Sequence, residues 1–452
     1  MPWELPAGPA PQIGQSRLRP RALYIALVVA LIVNIVANAI WVASDFGGLK
    51  DLDSFLHSGA AYARGLDPYQ HYAWLQPEPI SPEALNLNPP VSVYLFEPLS
   101  SFNRGFVAAA FVVGSVAMVA TAVGLLMRAY PDKRCWLVIL VVASMAGIWH
   151  MLWYLQIYAP LLLAVAGAWL CLRNRQWVFA GILIGVVIAI KPNYALVPLI
   201  LLAAGHARPA AASIVTVGAI SLVPLLIDGP AIYSHWLHMT MEFEGYAWTS
   251  NASLVSVGER VDFAAAGQLA AIALGLGAVV LARRARPNPL DAMALGLMTV
   301  ILVGPVSWAG YTLLLLPFLF SMRWDSWTWT AVLILATPFA PGRAFDSMGV
   351  ELPSVLGASA HVSLAPVPSA VFHIVSALVI AAVGALYAWA VGLLLARHVQ
   401  RILTESGLSL GVTVPPLRLR QSMANGLNRL RPSDANDAAI SDVAPVRVRY
   451  DA

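Results

Sequence analysis

Charge is what this chain has least of. Only 11% of its 452 residues are Asp, Glu, Lys or Arg, where an ordinary soluble domain carries roughly a quarter. Lysine occurs three times, at Lys50, Lys133 and Lys191. Cysteine occurs twice, at Cys135 and Cys171, and neither has metal-ligand spacing, which excludes a disulfide framework and a cysteine-based zinc site. No phosphate-binding Walker loop, zinc motif, dinucleotide-binding glycine pattern or nucleophile elbow stands in a fitting context. The net charge of +4 is spread in short basic clusters between apolar runs, so it is not the footprint of a nucleic-acid binder. Residues 1–22 are polar, Pro-rich and Arg-bearing, and the apolar run after them is too long for the core of a cleavable signal.

What the chain does have is apolar length. It is 59% hydrophobic with a mean hydropathy of +0.73. Its apolar runs approach the roughly 20 residues that cross a bilayer, so the expected class is an all-α, polytopic transmembrane bundle. About twelve spans are expected, near 23–44, 106–127, 135–150, 156–172, 176–190, 193–205, 210–227, 263–282, 289–304, 307–322, 327–339 and 370–396. Several are short, and Pro192 and Pro305 predict kinks or re-entrant segments. Three parts follow: a cytoplasmic segment over 1–22, a membrane domain over 23–397, and an Arg-rich, partly disordered cytoplasmic tail over 398–452.

The basic residues orient this layout. Arg17, Arg19 and Arg21 precede the first span; Arg128, Lys133 and Arg134 follow the second, and Arg173 and Arg175 the fourth. Arg208 follows the sixth, Arg283, Arg284 and Arg286 the eighth, Arg323 the tenth and Arg397 the twelfth. All fall on one side, which the positive-inside rule makes cytoplasmic together with both termini. The larger polar loops, near 45–105, 228–262 and 340–369, then face outward. A channel or carrier needs no such asymmetry; an enzyme working on the outer face of the cell membrane does.

The first of these loops opens KDLDSFLHSGAAYARGLDPY. Its apolar residues Leu52, Phe55, Leu56, Gly59, Ala60 and Ala63 recur at helical spacing, with Asp53, His57 and Arg64 off the stripe, which predicts an amphipathic helix along the membrane surface. Asp51 and Asp53 head that helix. A carboxylate there is either a helix cap or, beside a hydroxyl, a general base. Lys191 ends the apolar run GILIGVVIAI, a place suited to neutralising a phosphate or to a snorkelling side chain. Arg260 could grip a phosphate or anchor at the interface. Asn251 and Ser253 offer hydrogen bonds to a sugar, and Trp308 and Tyr311 in GPVSWAGY offer stacking faces or an aromatic belt. His57, Asn88 in LNLNPP, and His150 at the outer end of the third span complete the polar candidates.

These blocks, taken in order, resemble one family. The first span, then DLDSFLHSGAAYARGLDPY, LNPP, AGILIGVVIAIKPNYALVPLILL, NASLVSVGER and GPVSWAGY, is similar to the integral-membrane glycosyltransferases of the GT-C superfamily, and most like glycosyltransferase family 87. The resemblance runs over roughly residues 24–322 and implies a GT-C-type bundle with a large first extracytoplasmic loop. It implies a polyprenyl-phosphate sugar donor, most often of mannose, and a lipid-linked glycan acceptor, with membrane lipids around both. Its catalytic aspartate falls on Asp51, with Asp53 two residues away. Lys191 and Arg260 would hold the donor phosphate, while His57, Asn88, His150, Asn251, Ser253, Trp308 and Tyr311 would meet sugar, acceptor or lipid. No cofactor is implied, and a divalent metal is not expected. Where many relatives carry histidines after the SW pair, this chain has Ala309, Gly310 and Tyr311. The competing expectations are transfer of arabinofuranose from decaprenyl phosphate, a lipid or polysaccharide flippase, and a non-catalytic assembly protein.

Overall fold

The computed structural model describes residues 20–44, 50–75, 85–243, 250–337 and 369–408. Among them every regular element is helical, and the single isolated bridge joins Asn251 to Trp308. The chain divides into two compact units. One takes in Met1–Val28 and Pro415–Ala452, of which the described residues are the opening turns of a helix over Pro20–Ser44, α1. The other, Val29–Val414, holds everything that follows.

Among the described residues four helices are long and apolar enough to cross a membrane: Ala22–Ala43 within α1, Arg104–Ala129 (α4), Ala207–Asp228 (α10) and Ala264–Ala285 (α13). A fifth candidate is the pair Trp136–Ser144 (α5) and Ala146–Tyr154 (α6), bent by 49° at Met145. These apolar helices mark a membrane protein. The expected spans near 156–172, 176–190, 193–205, 289–304, 307–322 and 327–339 coincide with shorter apolar helices of 10–17 residues. Such helices reach about 15–25 Å at 1.5 Å per residue, so helix length alone does not give twelve spans. Pro192 ends the helix over Trp177–Ile190, and the irregular stretch around Pro305 separates Pro289–Val303 from Ala309–Leu315.

These shorter elements are Tyr158–Arg173 (α7), Trp177–Ile190 (α8), Leu196–Ala203 (α9), Pro289–Val303 (α14), Leu316–Ser321 (α15) and Ser326–Leu335 (α16). Helix α8 packs between α7 and α10, α4 lies against α7, and α14 meets α9 and α13. A 37-residue helix, Ser369–Glu405 (α17), packs on α14 and α16. It continues the last expected span past Arg397, so the start of the expected tail is ordered helix; the loop near 340–368 and the chain from 409 lie outside the described residues.

The basic turns gather at one end of the bundle. Arg173 donates to the Ala129 carbonyl, Arg134 Nε to Met127 O at 2.7 Å, and Lys133 Nζ lies 5.9 Å from the Trp324 ring centre. Arg397 Nε pairs with Asp325 at 3.0 Å, and Arg401 pairs with the buried Asp291. Helices α4, α7, α8 and α10 run from this end to the opposite one, where Arg104, Tyr158, Lys191 and Asp228 stand.

At that opposite end lies the helix the sequence predicted, Lys50–Tyr62 (α2). It is more deeply seated than a surface helix. Leu52, Phe55 and Leu56 form a core with Phe96, Val107, Ala108, Leu155 and Ile157. The helix packs on Val91–Phe96 (α3) so closely that a Cβ on Gly59 would come within 2.6 Å of the Phe96 backbone. His57, expected off the buried stripe, is itself buried, because the turn at Gln70–Tyr72 folds over that face. The remaining helices are Ala231–Met241 (α11) and Leu254–Arg260 (α12).

Candidate functional site

Between α2, the α6–α7 turn and the end of α8 opens a cleft of about 690 Å³, open solvent at its mouth included. Asp51, His150, Gln156 and Lys191 line it, with Lys50, Ser54, Tyr154 and Asn88 around them and Trp308, Phe243 and Ser250 on the far wall.

The two carboxylates at the head of α2 have different fates. Asp53 is gripped by Arg104 at the start of α4, through Nε and Nη2 at 2.7 Å each. Asp51 faces the cleft, and its Oδ2 accepts a hydrogen bond from the side-chain amide of Gln156. Burial pushes the Asp51 carboxyl up to about 6, against the opposing pull of the Gln156 hydrogen bond and the positive charges of Lys191 and Lys50. A carboxylate poised near neutrality is suited to accepting a proton.

Lys191 closes α8, where Pro192 lacks the N–H that would continue the helix. The side chain is buried, 8% exposed, and its Nζ lies 5.8 Å from the Tyr158 ring centre and 5.7 Å from that of Tyr311. Two aromatic faces hold the ammonium by cation–π attraction. Among the described residues no carboxylate forms an ion pair with it; the carboxylate that feels its charge is Asp51, in the same cleft. The tyrosine cage is itself built tightly. Tyr311 stacks on Tyr194 with centroids 5.8 Å apart, and a Cβ on Gly310 would come within 2.2 Å of Tyr158 Cε2.

Of the sequence candidates, the cleft gathers Asp51, Lys191, Asn88, His150 and Trp308. Asn88 is held by its neighbour: Asn86 Oδ1 accepts from Asn88 N and Nδ2, both at 3.0 Å, and Asn86 Nδ2 donates to Ser92 Oγ at 2.9 Å. Asn88 Oδ1 is buried and has no hydrogen-bond partner among the described residues.

The others stand elsewhere. Asn251, fully buried, spends its amide on backbone: Oδ1 accepts from Ser253 N and Ser307 N at 3.2 and 2.9 Å, and Nδ2 donates to Pro305 O at 3.0 Å. It staples NASL to GPVSW, with Ala252 N bonded to Ser307 O at 2.7 Å. Ser253 caps α12, accepting from Ser256 N at 3.1 Å. Arg260 donates to Asn251 O at 3.2 Å and is not among the residues lining the cleft. Tyr311 lies against Lys191, its ring centre 5.7 Å from Nζ, and His57 Nε2 lies 3.2 Å from both Gln70 O and Tyr72 N. Burial lowers the His57 pKa, which fits a neutral ring accepting the Tyr72 N–H. Asp53 is committed to Arg104. Among the described residues no three His, Cys, Asp or Glu side chains come together as a metal site.

Gln156 is the site residue that sequence reasoning missed. Its signal was a lone amide in WYLQIYAP, an otherwise apolar stretch.

Residues 86–305 match the model of glycosyltransferase family 87. Over this stretch, just under half of the 452-residue chain, the sequence is similar to that family. It takes in Asn88, Gln156, Lys191, Asn251 and Arg260; Asp51 precedes it and Trp308 follows it. No curated protein and no solved structure matches the chain.

Proposed function

We propose that the protein transfers a sugar, mannose in the first instance, from a polyprenyl-phosphate donor to a lipid-linked glycan on the extracytoplasmic face of the cell membrane, with inversion. Asp51 is the general base: it takes the proton of the acceptor hydroxyl while the hydroxyl oxygen attacks the anomeric carbon. The bond from that carbon to the phosphate oxygen breaks, and the polyprenyl phosphate leaves with the electron pair, its charge met by Lys191. Arg260 is the second candidate for that charge, and it would have to swing out from Asn251 to reach it. Asn88, His150 and Trp308 would meet the sugars. What supports this reading is a buried ammonium, in no ion pair among the described residues, in the same cleft as a carboxylate pushed up to about 6. The basic turns at the far end of the bundle support an outward-facing cleft, and no divalent metal is required by these two charges.

The test is sugar transfer by lipid-reconstituted protein, with radiolabelled polyprenyl-phosphate mannose and, separately, decaprenyl-phosphate arabinose, each with a mannolipid acceptor. Product from the mannose donor, abolished by Asp51→Asn and kept by Asp53→Asn, is the expected result. Product from the arabinose donor alone would replace the sugar. Undiminished lipid translocation in Asp51→Asn, with no transfer from either donor, would replace the enzyme by a flippase.

A further inference from the structure

Helix α6 does not run directly into α7. Leu155, buried and not a glycine, takes a left-handed conformation with φ 50°, and Gln156 N returns to the Met151 carbonyl at 3.0 Å. A branched side chain in that conformation is strained, and such strain persists where the surrounding packing enforces it. Here Leu155 belongs to the same core as Leu52, Phe55 and Leu56 of α2. The turn therefore carries Gln156 onto the head of α2, where its Nε2 meets Asp51 Oδ2. Gln156 Oε1 is buried and has no hydrogen-bond partner among the described residues, a cost that a residue serving only to pack would shed by being apolar. Asp51 Oδ1, by contrast, has no partner among the described residues and is not sealed in.

We propose that Gln156 is the positioning residue for Asp51: its amide ties down Oδ2 and so presents Oδ1 as the oxygen that receives the acceptor's proton. This rests on Asp51 being the base of the proposed transfer. The left-handed turn at Leu155 sets the direction of the amide, and the packing of Leu155 on α2 keeps amide and carboxylate in register. The other charged or titratable groups facing Asp51 are Lys50 on its own helix, Lys191 from the end of α8, His150 and Tyr154 from α6, and the hydroxyls of Tyr158 and Tyr311.

The experiment is the pH dependence of transfer by the full-length, lipid-reconstituted protein, comparing wild type, Gln156→Met, Gln156→Asn and Asp51→Asn, with the thermal unfolding of each. Methionine keeps the length of glutamine and removes its hydrogen bonds. The expected result is a kcat about tenfold to hundredfold lower in Gln156→Met, with donor KM within about twofold of wild type. The acid limb of its profile moves to higher pH by about one unit, because a bond favouring the ionised carboxylate is gone. Gln156→Asn, whose amide is one methylene short, falls between. A folded Gln156→Met with the wild-type kcat and acid limb overturns the proposal. So does a loss of kcat that tracks a lowered unfolding temperature while the limb stays in place, since that is a packing defect. If Asp51→Asn transfers sugar like wild type, the underlying role of Asp51 has failed, and the positioning role with it; that outcome is told apart by the Asp51 variant alone.

Discussion

Asp51 sits in two opposing fields. Burial raises its pKa to about 6, and the nearby amide and lysines hold it from rising further. The ionised carboxylate is the form that accepts a proton, so transfer should be weak below about pH 6 and rise as pH increases through it, as measured by initial rates across pH 5–8. The same shift acts on stability with the opposite sense. A carboxyl whose folded pKa lies above its unfolded value of 3.8 binds more protons folded than unfolded between those two values, so stability falls as pH rises from about 4 to 6. Asp51→Asn should then be inactive yet more stable at pH 7 by on the order of 1 kcal/mol, after discounting for a residue that is only partly buried, which thermal unfolding would detect. Lys191 is the complementary case. Lys191→Met removes the cation and keeps the bulk between Tyr158 and Tyr311, and should raise donor KM about tenfold or more while the fold survives. The two stand out in the sequence for different reasons: Lys191 as a charge ending an apolar run, where charge is costly, and Asp51 as a carboxylate at the head of a helix. Gln156 gave no such signal, being uncharged. Asn251 and Ser253 show a different limit: a polar side chain reads alike in sequence whether or not it bonds the chain's own backbone, as these two do.

Among elements, the long lipid-facing helices could be read from the sequence, whereas the broken ones could not. Helices α4, α10 and α13 are continuous apolar runs whose windows are only 17–22% buried. The segment from Pro305 to Leu315 is different. It is nearly all buried, and its form is decided by tertiary partners: the Asn251 staple, the bridge at Trp308 and the 3-10 turn Ala309–Leu315. Helix α2 lies between these cases. Its period was visible, but the burial of His57 was not, since the covering turn comes from fifteen residues onward. Two substitutions probe the broken region. Gly310→Ala forces a methyl into the Tyr158 ring, and should cost about 1–3 kcal/mol and weaken donor binding by disturbing the cage, read by unfolding and by KM together. Asn251→Ala leaves the buried N–H groups of Ser253 and Ser307 without their acceptor. It should lower the unfolding temperature with little change in the KM of whatever folded protein remains.

At the scale of the whole molecule, the bundle has a basic end and a cleft end, and the helices that carry Arg128, Arg173 and Arg208 present Arg104, Tyr158 and Asp228 at the other. The proposed orientation puts the basic end in the cytoplasm. The two free cysteines make this testable without engineering the site, since Cys135 is exposed beside Arg134. In a Cys171→Ser background, a membrane-impermeant maleimide should label Cys135 in inside-out vesicles and leave it unlabelled in intact cells.

Helix α4 spans 26 residues, about 39 Å, against a hydrocarbon layer of about 30 Å. It is touched by protein on a minority of its surface, and leaning is one way to meet that excess. Yet its first turns, at Val107 and Ala108, are packed into the same cluster as Leu52 and Phe55, one step from Asp51, and Arg104 grips Asp53 beside them. Any lean of this helix would thereby be geared to the base of the cleft. Acyl-chain length becomes a variable of turnover: reconstituted in phosphatidylcholines of stepwise increasing chain length, the protein should show a rate maximum at one thickness and fall away on either side of it.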